Sequence, residues 1–347
     1  MPRHLALAVI ILGVGLAPAA AQPAGAPPPC PAPDFVDTVV GCTVAIQSKG
    51  LKGPALGAAH YNRGVALQSL GANKDAIADF TAATRLDPSK AAAFNNRGYL
   101  RATGGDLAGA LADFDAALKL DPSLVQALNN RAMLYRTRGA WDRAIEDYDA
   151  ALKANDPKPA AVHFNRGIAY QNKGDAERAL ADYGDAIRLD PDNVEALANR
   201  GVLLAGRGET DKAMADFEEA VKRNPKSVLA LTNRGYALFQ MGEIDRAIVD
   251  FDAAIALDAK VPTLFSNRGR AFMAKPDYGR AVSDFGAAIA LTPKRPDGYV
   301  SRAEAYEKQG DLARARADAK KAAALAPRDE AIKALRKRLD APPAPKP

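Results

Sequence analysis

Histidine and cysteine are nearly missing from this chain of 347 residues, which carries three of the first and two of the second. His4 falls in an N-terminal apolar leader. His60 and His163 occupy a place filled elsewhere by Phe94, Leu128, Leu197, Leu231, Phe265 and Tyr299, which marks both as packing residues. Cys30 and Cys42 are both near the N-terminus. With so few ligand groups, a structural zinc centre or a Cys–His nucleophile has no parts to be built from, so neither metal nor cofactor is expected. The single tryptophan, Trp141, stands where related positions hold Leu107, Ile244, Tyr278 and Leu312, a core place and not a ligand platform. No apolar run approaches the roughly 20 residues that span a bilayer. The longest, from Leu5 to Ala17, stops before Pro18. Positive charge is also scarce over most of the chain. The net charge is +6, but from Asp311 onward Arg314, Arg316, Lys320, Lys321, Arg328, Lys333, Arg336, Lys337, Arg338 and Lys346 face Asp311, Asp318, Asp329, Glu330 and Asp340, leaving +5 at that end. A near-neutral body without basic stripes interleaved by aromatics argues against nucleic acid.

What the chain has in abundance is repetition. The stretch Ala58 to Pro88 consists of an apolar-periodic run, a Gly, a second such run and a Pro, and it recurs to the end. Its Arg recurs as Arg63, Arg97, Arg131, Arg166, Arg200, Arg234, Arg268 and Arg302, with a spacing of 34 residues, or 35 between Arg131 and Arg166. Ala76, Ala110, Ala144, Ala179, Ala213, Ala247, Ala281 and Ala315 recur in step, as does a second Ala seven residues on, from Ala83 to Ala322. Between them lies an aromatic knob, Phe80, Phe114, Tyr148, Tyr183, Phe217, Phe251 and Phe285, replaced by Ala319 in copy eight. Gly71, Gly105, Gly139, Gly174, Gly208, Gly242 and Gly310 sit between the two runs, where a left-handed helix end favours a residue without Cβ. Copy seven has Pro276 there instead, and is expected to be the softest hairpin.

A 34-residue period with small and aromatic residues at these places resembles the tetratricopeptide repeat, two packed helices per unit. Within that family, Arg before the small residue is similar to an N-R-G…A-I-x-D-F/Y variant of exported bacterial proteins. The resemblance implies an all-α solenoid, a superhelix of eight helical hairpins, with an N-terminal leading helix and a C-terminal capping helix. The expected layout is a signal peptide over 1–21, a Pro/Ala-rich linker over 22–33, a leading helix as a degenerate half repeat over 34–57, eight repeats over 58–326, a capping helix over 327–340 and a disordered tail over 341–347. Arg3, the apolar run and Ala19-Ala20-Ala21 suit a cleaved secretory leader, against a membrane anchor or a lipid-anchored Cys30 as alternatives. Export to the periplasm would let Cys30 and Cys42 form a disulfide; otherwise Cys42 is a small core residue and Cys30 a free thiol. The residue added between Leu152 and Ala160 is where the array is expected to bend.

Carboxylates recur as regularly as the arginines: Asp79, Asp113, Asp147, Asp182, Asp216, Asp250, Asp284 and Asp318, each 16 residues beyond its Arg. Once per repeat is the habit of scaffold residues and not of a unique acid–base pair, so the chain is not expected to be an enzyme. The Arg and Asp rows instead point to a ladder of structural ion pairs, within one hairpin or between neighbours. The resemblance implies that the first helix of each hairpin lines a concave groove. The corresponding positions supply Tyr61, Tyr99, Met133, Arg136, Phe164, Ile168, Tyr236, Phe239 and Arg270, an aromatic and amide-rich set without the Lys and Asn pair that clamps a C-terminal carboxylate in chaperone-bound relatives. The function implied is a non-enzymatic interaction scaffold of the cell envelope, binding a peptide or protein surface in the groove. The alternative is a structural envelope protein whose basic C-terminal cap touches anionic lipid or glycan.

Overall fold

The computed structural model describes residues 30–341. The expected signal peptide (1–21), residues 22–29 of the linker and residues 342–347 of the tail lie outside the described residues. Within them all regular structure is helical, in eighteen helices. The chain divides into two compact units at Ala179/Leu180. The first holds α1 (Phe35–Gln47), the hairpins α2 (Gly53–Ser69) with α3 (Asn73–Leu86), α4 (Ala91–Thr103) with α5 (Leu107–Leu120), α6 (Val125–Thr137) with α7 (Trp141–Lys153), then α8 (Pro159–Lys173) and the first turn of α9 (Ala176–Leu189). The second holds the rest of α9 and the hairpins α10 (Val194–Gly206) with α11 (Thr210–Arg223), α12 (Val228–Gln240) with α13 (Ile244–Leu257), α14 (Pro262–Ala274) with α15 (Tyr278–Leu291) and α16 (Pro296–Gln309) with α17 (Leu312–Leu325), closed by α18 (Glu330–Asp340).

One boundary differs from the expectation of a leading helix over 34–57. The helix ends at Gln47, and residues 53–57 already belong to the first hairpin. Pro54 is the cause: it sits in the first turn of α2, where its missing N–H has no bond to lose and its fixed φ suits the helix.

Each hairpin closes on small residues. The first Ala row and the second are both buried, for example Ala76 and Ala83 at 0% exposure, so the two helices approach closely. The aromatic knob lies over the residue after the recurrent Arg. A Cβ on Gly201 would fall 2.6 Å from Cε1 of Phe217, which explains why glycine fills that position. In the last hairpin the knob is gone. Ala319 and Ala303 are both fully buried there, and the space is taken by Tyr306 and by Leu335 and Leu339 of α18.

The inter-helix glycines have positive φ, from 70° at Gly139 to 91° at Gly105. The residue after them donates back into the first helix, as in Ala72 N–H to Leu67 carbonyl at 2.8 Å, a Schellman closure. Hairpin seven keeps that bond, with Asp277 N–H donating to Phe272 carbonyl at 2.9 Å, but Pro276 must then sit at φ 28. Proline has no N–H for the neighbouring bond, the one Gly71 makes to Gln68 at 3.0 Å, and its ring prefers φ near −65°.

At the N-terminal end Cys30 and Cys42 are joined by a disulfide, with Cys42 completely buried. The same segment is held by Thr38: its Oγ1 accepts from Ala32 N–H at 2.9 Å and donates to Ala32 carbonyl at 3.1 Å. Residues 30–33 therefore lie back across α1. The insertion between α7 and α8 is absorbed locally by Asn155 in a left-handed conformation and by buried Asp156. Asp156 accepts from Asn129 Nδ2 at 2.5 Å and Lys158 N–H at 2.7 Å. At the other end α18 buries Ile332, Leu335 and Leu339 and exposes Lys333, Arg336, Lys337 and Arg338. Among the described residues no helix is long and apolar enough to cross a membrane.

Two substitutions test these turns. Pro276→Gly relieves strain and restores a donor against a more flexible unfolded chain, so the chemical-denaturation midpoint of unit two is expected to rise by the equivalent of about 1 kcal/mol. An unchanged or lower midpoint would show that proline is tolerated there. Cys30→Ser opens a loop whose closure is worth about 3 kcal/mol in the chain-entropy model, and limited proteolysis should then cut between α1 and α2 faster than in the parent.

Candidate functional site

The first helix of each hairpin places its Arg one turn away from the partner helix, and the second helix places Asp opposite. In seven hairpins the contact is a two-point fork. Arg63, Arg97, Arg131, Arg200, Arg234, Arg268 and Arg302 donate through Nε to Oδ2 of Asp79, Asp113, Asp147, Asp216, Asp250, Asp284 and Asp318 at 2.7–3.0 Å. Their Nη2 groups donate to Oδ1 of the same residues at 2.6–2.9 Å. The pairs thus lie within hairpins. All eight Asp residues, Asp182 included, are buried to 7% exposure or less. Hydrogen bonding to Asp147 holds the Arg131 guanidinium above its ordinary range, although burial pulls the other way, and Asp284 does the same for Arg268.

The remaining nitrogen reaches backward. Nη1 of Arg131 donates to Asp115 of α5 at 2.7 Å, that of Arg166 to Asp149 of α7 at 2.6 Å and that of Arg268 to Asp252 of α13 at 2.6 Å. Arg97 and Arg63 use threonines instead, Thr84 at 2.9 Å and Thr43 of α1 at 3.0 Å. One side chain therefore ties its own hairpin shut and fastens it to the element before.

His60 departs from the packing role that its sequence position suggests. Its Nδ1–H donates to Asp79 Oδ1 at 2.7 Å, because an ionised carboxylate can only accept. The packing expectation missed this because the other copies carry hydrocarbon rings or Leu at that place.

Two further rows were missed from sequence. Tyr135, Tyr170, Phe272 and Tyr306, four residues after the recurrent Arg, each lie between two guanidinium groups. The second guanidinium comes from Arg143, Arg178, Arg280 or Arg314, 4.3–5.5 Å from the ring centre. The signal was present as a constant spacing of Arg, aromatic and Arg. The Asn before each Arg forms the other row. In unit one Asn130 Nδ2 donates to Asn95 Oδ1 at 3.0 Å and Arg136 Nη1 to Asn165 Oδ1 at 2.7 Å, linking α6 to α4 and α8.

All nine groove candidates fall on first helices, but their environments differ. Tyr61 is half-buried, tilted against Phe80 at 5.9 Å and covered by Lys90 Nζ at 4.6 Å; burial pushes its phenol up. Tyr99, Met133, Phe164 and Ile168 are half-buried, and Arg136 is engaged with Asn165. In unit two Phe239 packs against the cluster of Leu238 and Phe251. Tyr236 is 47% exposed, and Arg270 is exposed too. Val202, the equivalent residue on α10, is also exposed. These three occupy one repeat position on α10, α12 and α14, which lie side by side.

The family model for the tetratricopeptide repeat matches residues 61–125, 103–160, 129–194, 164–227, 203–262 and 266–340. No curated protein matches the chain. Among solved structures, a tetratricopeptide repeat protein from Parabacteroides merdae is 26% identical, with a TM-score of 0.56 over 72% of this chain and 98% of that one. PilF of Pseudomonas aeruginosa is 18% identical, with a TM-score of 0.55 over 63% and 98%. The C-terminal part of a TPR repeat-containing protein from Cytophaga hutchinsonii is 20% identical, with a TM-score of 0.54 over 69% and 97%. The last two likenesses concern the fold alone.

The fork can be tested at Arg200, whose partner Asp216 is 6% exposed. Truncating the Arg leaves a buried carboxylate with two bonds lost. Arg200→Ala is expected to destabilise unit two by about 2–3 kcal/mol, less than a fully enclosed pair because the Arg side chain is partly solvated. Far-UV circular dichroism against denaturant reads this, and a midpoint equal to the parent's would make the ladder mere surface decoration.

Proposed function

Because the chain belongs to the tetratricopeptide-repeat family, whose members are generally non-catalytic interaction scaffolds, we propose that it is an adaptor of the cell envelope that holds a peptide segment or protein surface against its first helices. The supporting observation is the exposed row of Val202, Tyr236 and Arg270 on α10, α12 and α14. An aromatic ring held at one edge and open at the other covers large area at low entropic cost. Arg270 beside it suits a carboxylate of the bound segment. Every recurrent charge is consumed inside the scaffold, and no unique acid–base pair stands apart from it, which favours recognition over catalysis. The leader-like N-terminus, with Arg3 before an apolar run and Ala19-Ala20-Ala21 after it, motivates a periplasmic site of action and the exported N-R-G subtype.

A second reading has its own observation. Lys320, Lys321, Arg336 and Lys337 are exposed together at the end formed by α17 and α18, and such a face suits anionic lipid or glycan. Binding that collapses with salt and disappears on deleting residues 328–347 would favour it.

The groove reading is tested by placing a photo-crosslinking residue at Tyr236 and, as a control, at Val249, which is 65% exposed on the second helix α13. A partner captured at Tyr236 and not at Val249, and bound about tenfold more weakly by Tyr236→Ala, is the expected result. Equal capture at both positions would sink the assignment. Phe239 is left intact because its packing would confound binding with stability.

A further inference from the structure

The two ends of this array treat solvent differently. A linear repeat array requires terminal elements with a polar outer face. The C-terminal end obeys, since α18 turns Lys333, Arg336, Lys337 and Arg338 outward. The N-terminal end does not. On α1 the side buried against the first hairpin carries Thr38, Gly41 and Cys42, and the opposite side carries Val36, Val40 and Val44, exposed at 60%, 46% and 42%. Phe35, 46% exposed, borders them. Valines at i, i+4 and i+8 form one straight stripe on a helix. On α3, by contrast, the exposed side carries Lys74, Ala78, Thr81 and Arg85.

We propose that α1 is a self-association surface, on which a second copy of this chain packs its own α1 antiparallel across the valine stripe. The stripe is self-complementary about Val40, so a twofold axis there sets Val36 of each copy beside Val44 of the other. Charge agrees with that direction. Exposed Asp34 and Asp37 precede or open the helix and exposed Lys49 and Lys52 follow it, so antiparallel copies bring each acidic end to the partner's basic end. The helix dipoles are also opposed favourably. The pairing is closed, because the stripe occurs once per chain and is used up by one partner. A helix of 13 residues is about 20 Å long, which limits the covered area to the small class of interfaces and makes the dimer weak and concentration-dependent.

Sedimentation equilibrium of the full chain from about 1 to 200 μM is the test, with dissociation expected on the order of 10–100 μM. Val40→Glu should weaken association at least tenfold while leaving the thermal melt by circular dichroism unchanged, since the side chain it replaces is solvent-facing. Lys49→Glu should weaken it too, and Asp37→Lys combined with Lys49→Glu should restore it. A chain that stays monomeric to 200 μM, or a dimer indifferent to Val40→Glu, overturns the proposal. So does a monomer that cosediments with lipid vesicles through the same valines, which would assign the stripe to a membrane.

Discussion

A carboxylate buried to a few per cent exposure in the second helix of every repeat is costly unless a cation meets it with matched geometry, and the rest of this structure depends on how that is done. The guanidinium meets it with two parallel bonds, which fixes the rotation of one helix about the other as well as their separation. A single-point contact from lysine would do neither. The Ala rows and the glycine under the aromatic knob become possible because the fork holds the helices close. The knob, in turn, shields the fork from water.

The spare nitrogen of the same arginine explains how hairpins stack within each unit. Where the preceding second helix offers Asp115, Asp149, Asp252 or Thr84, the arginine reaches it. Where that position is Gly184 or Gly286, a Cβ there would lie 3.8 or 3.5 Å from Nη1 of Arg200 or Arg302. Closure within a hairpin is therefore constant, but fastening to the previous one varies. Stability in nearest-neighbour arrays depends on both terms, so these arrays need not be uniform along their length.

Much of the fold was legible because it repeats: the period, the helix pairs, the turn glycines and the C-terminal cap follow from spacing alone. The start of α2 was misjudged by five residues, since Pro54 looks like a breaker until its place in the first turn is known. The direction of the Arg–Asp pairs was not legible, as a separation of 16 residues fits two registers. Nor was burial on the first helices. Tyr99 and Tyr236 hold the same repeat position, yet Tyr99 packs with Ile77 and Leu100 while Tyr236 stands open. That difference arises from side chains on other helices and not from the residue itself. The hydrogen bond of His60 escaped for a related reason, since its partner belongs to a row already assigned to arginine.

The pairing of the recurrent charges also decides what a partner can sense. Eight arginines and eight aspartates cancel inside the scaffold, so the surface field comes only from residues that do not recur. Along the first helices of unit two these change in order: Val202 on α10, Tyr236 on α12, Arg270 on α14 and Glu304 on α16, all exposed. Beyond Glu304, Glu307 is already taken by Arg338 at 2.7 Å. An extended segment lying along this row would meet apolar, aromatic, positive and negative groups in turn. Reversing the segment would place its charges against like charges, which costs more than mismatched apolar contact. On the proposed reading, the row thus sets the direction of the bound chain as well as its composition, and it can do so because the scaffold has left no other charge on that face to compete.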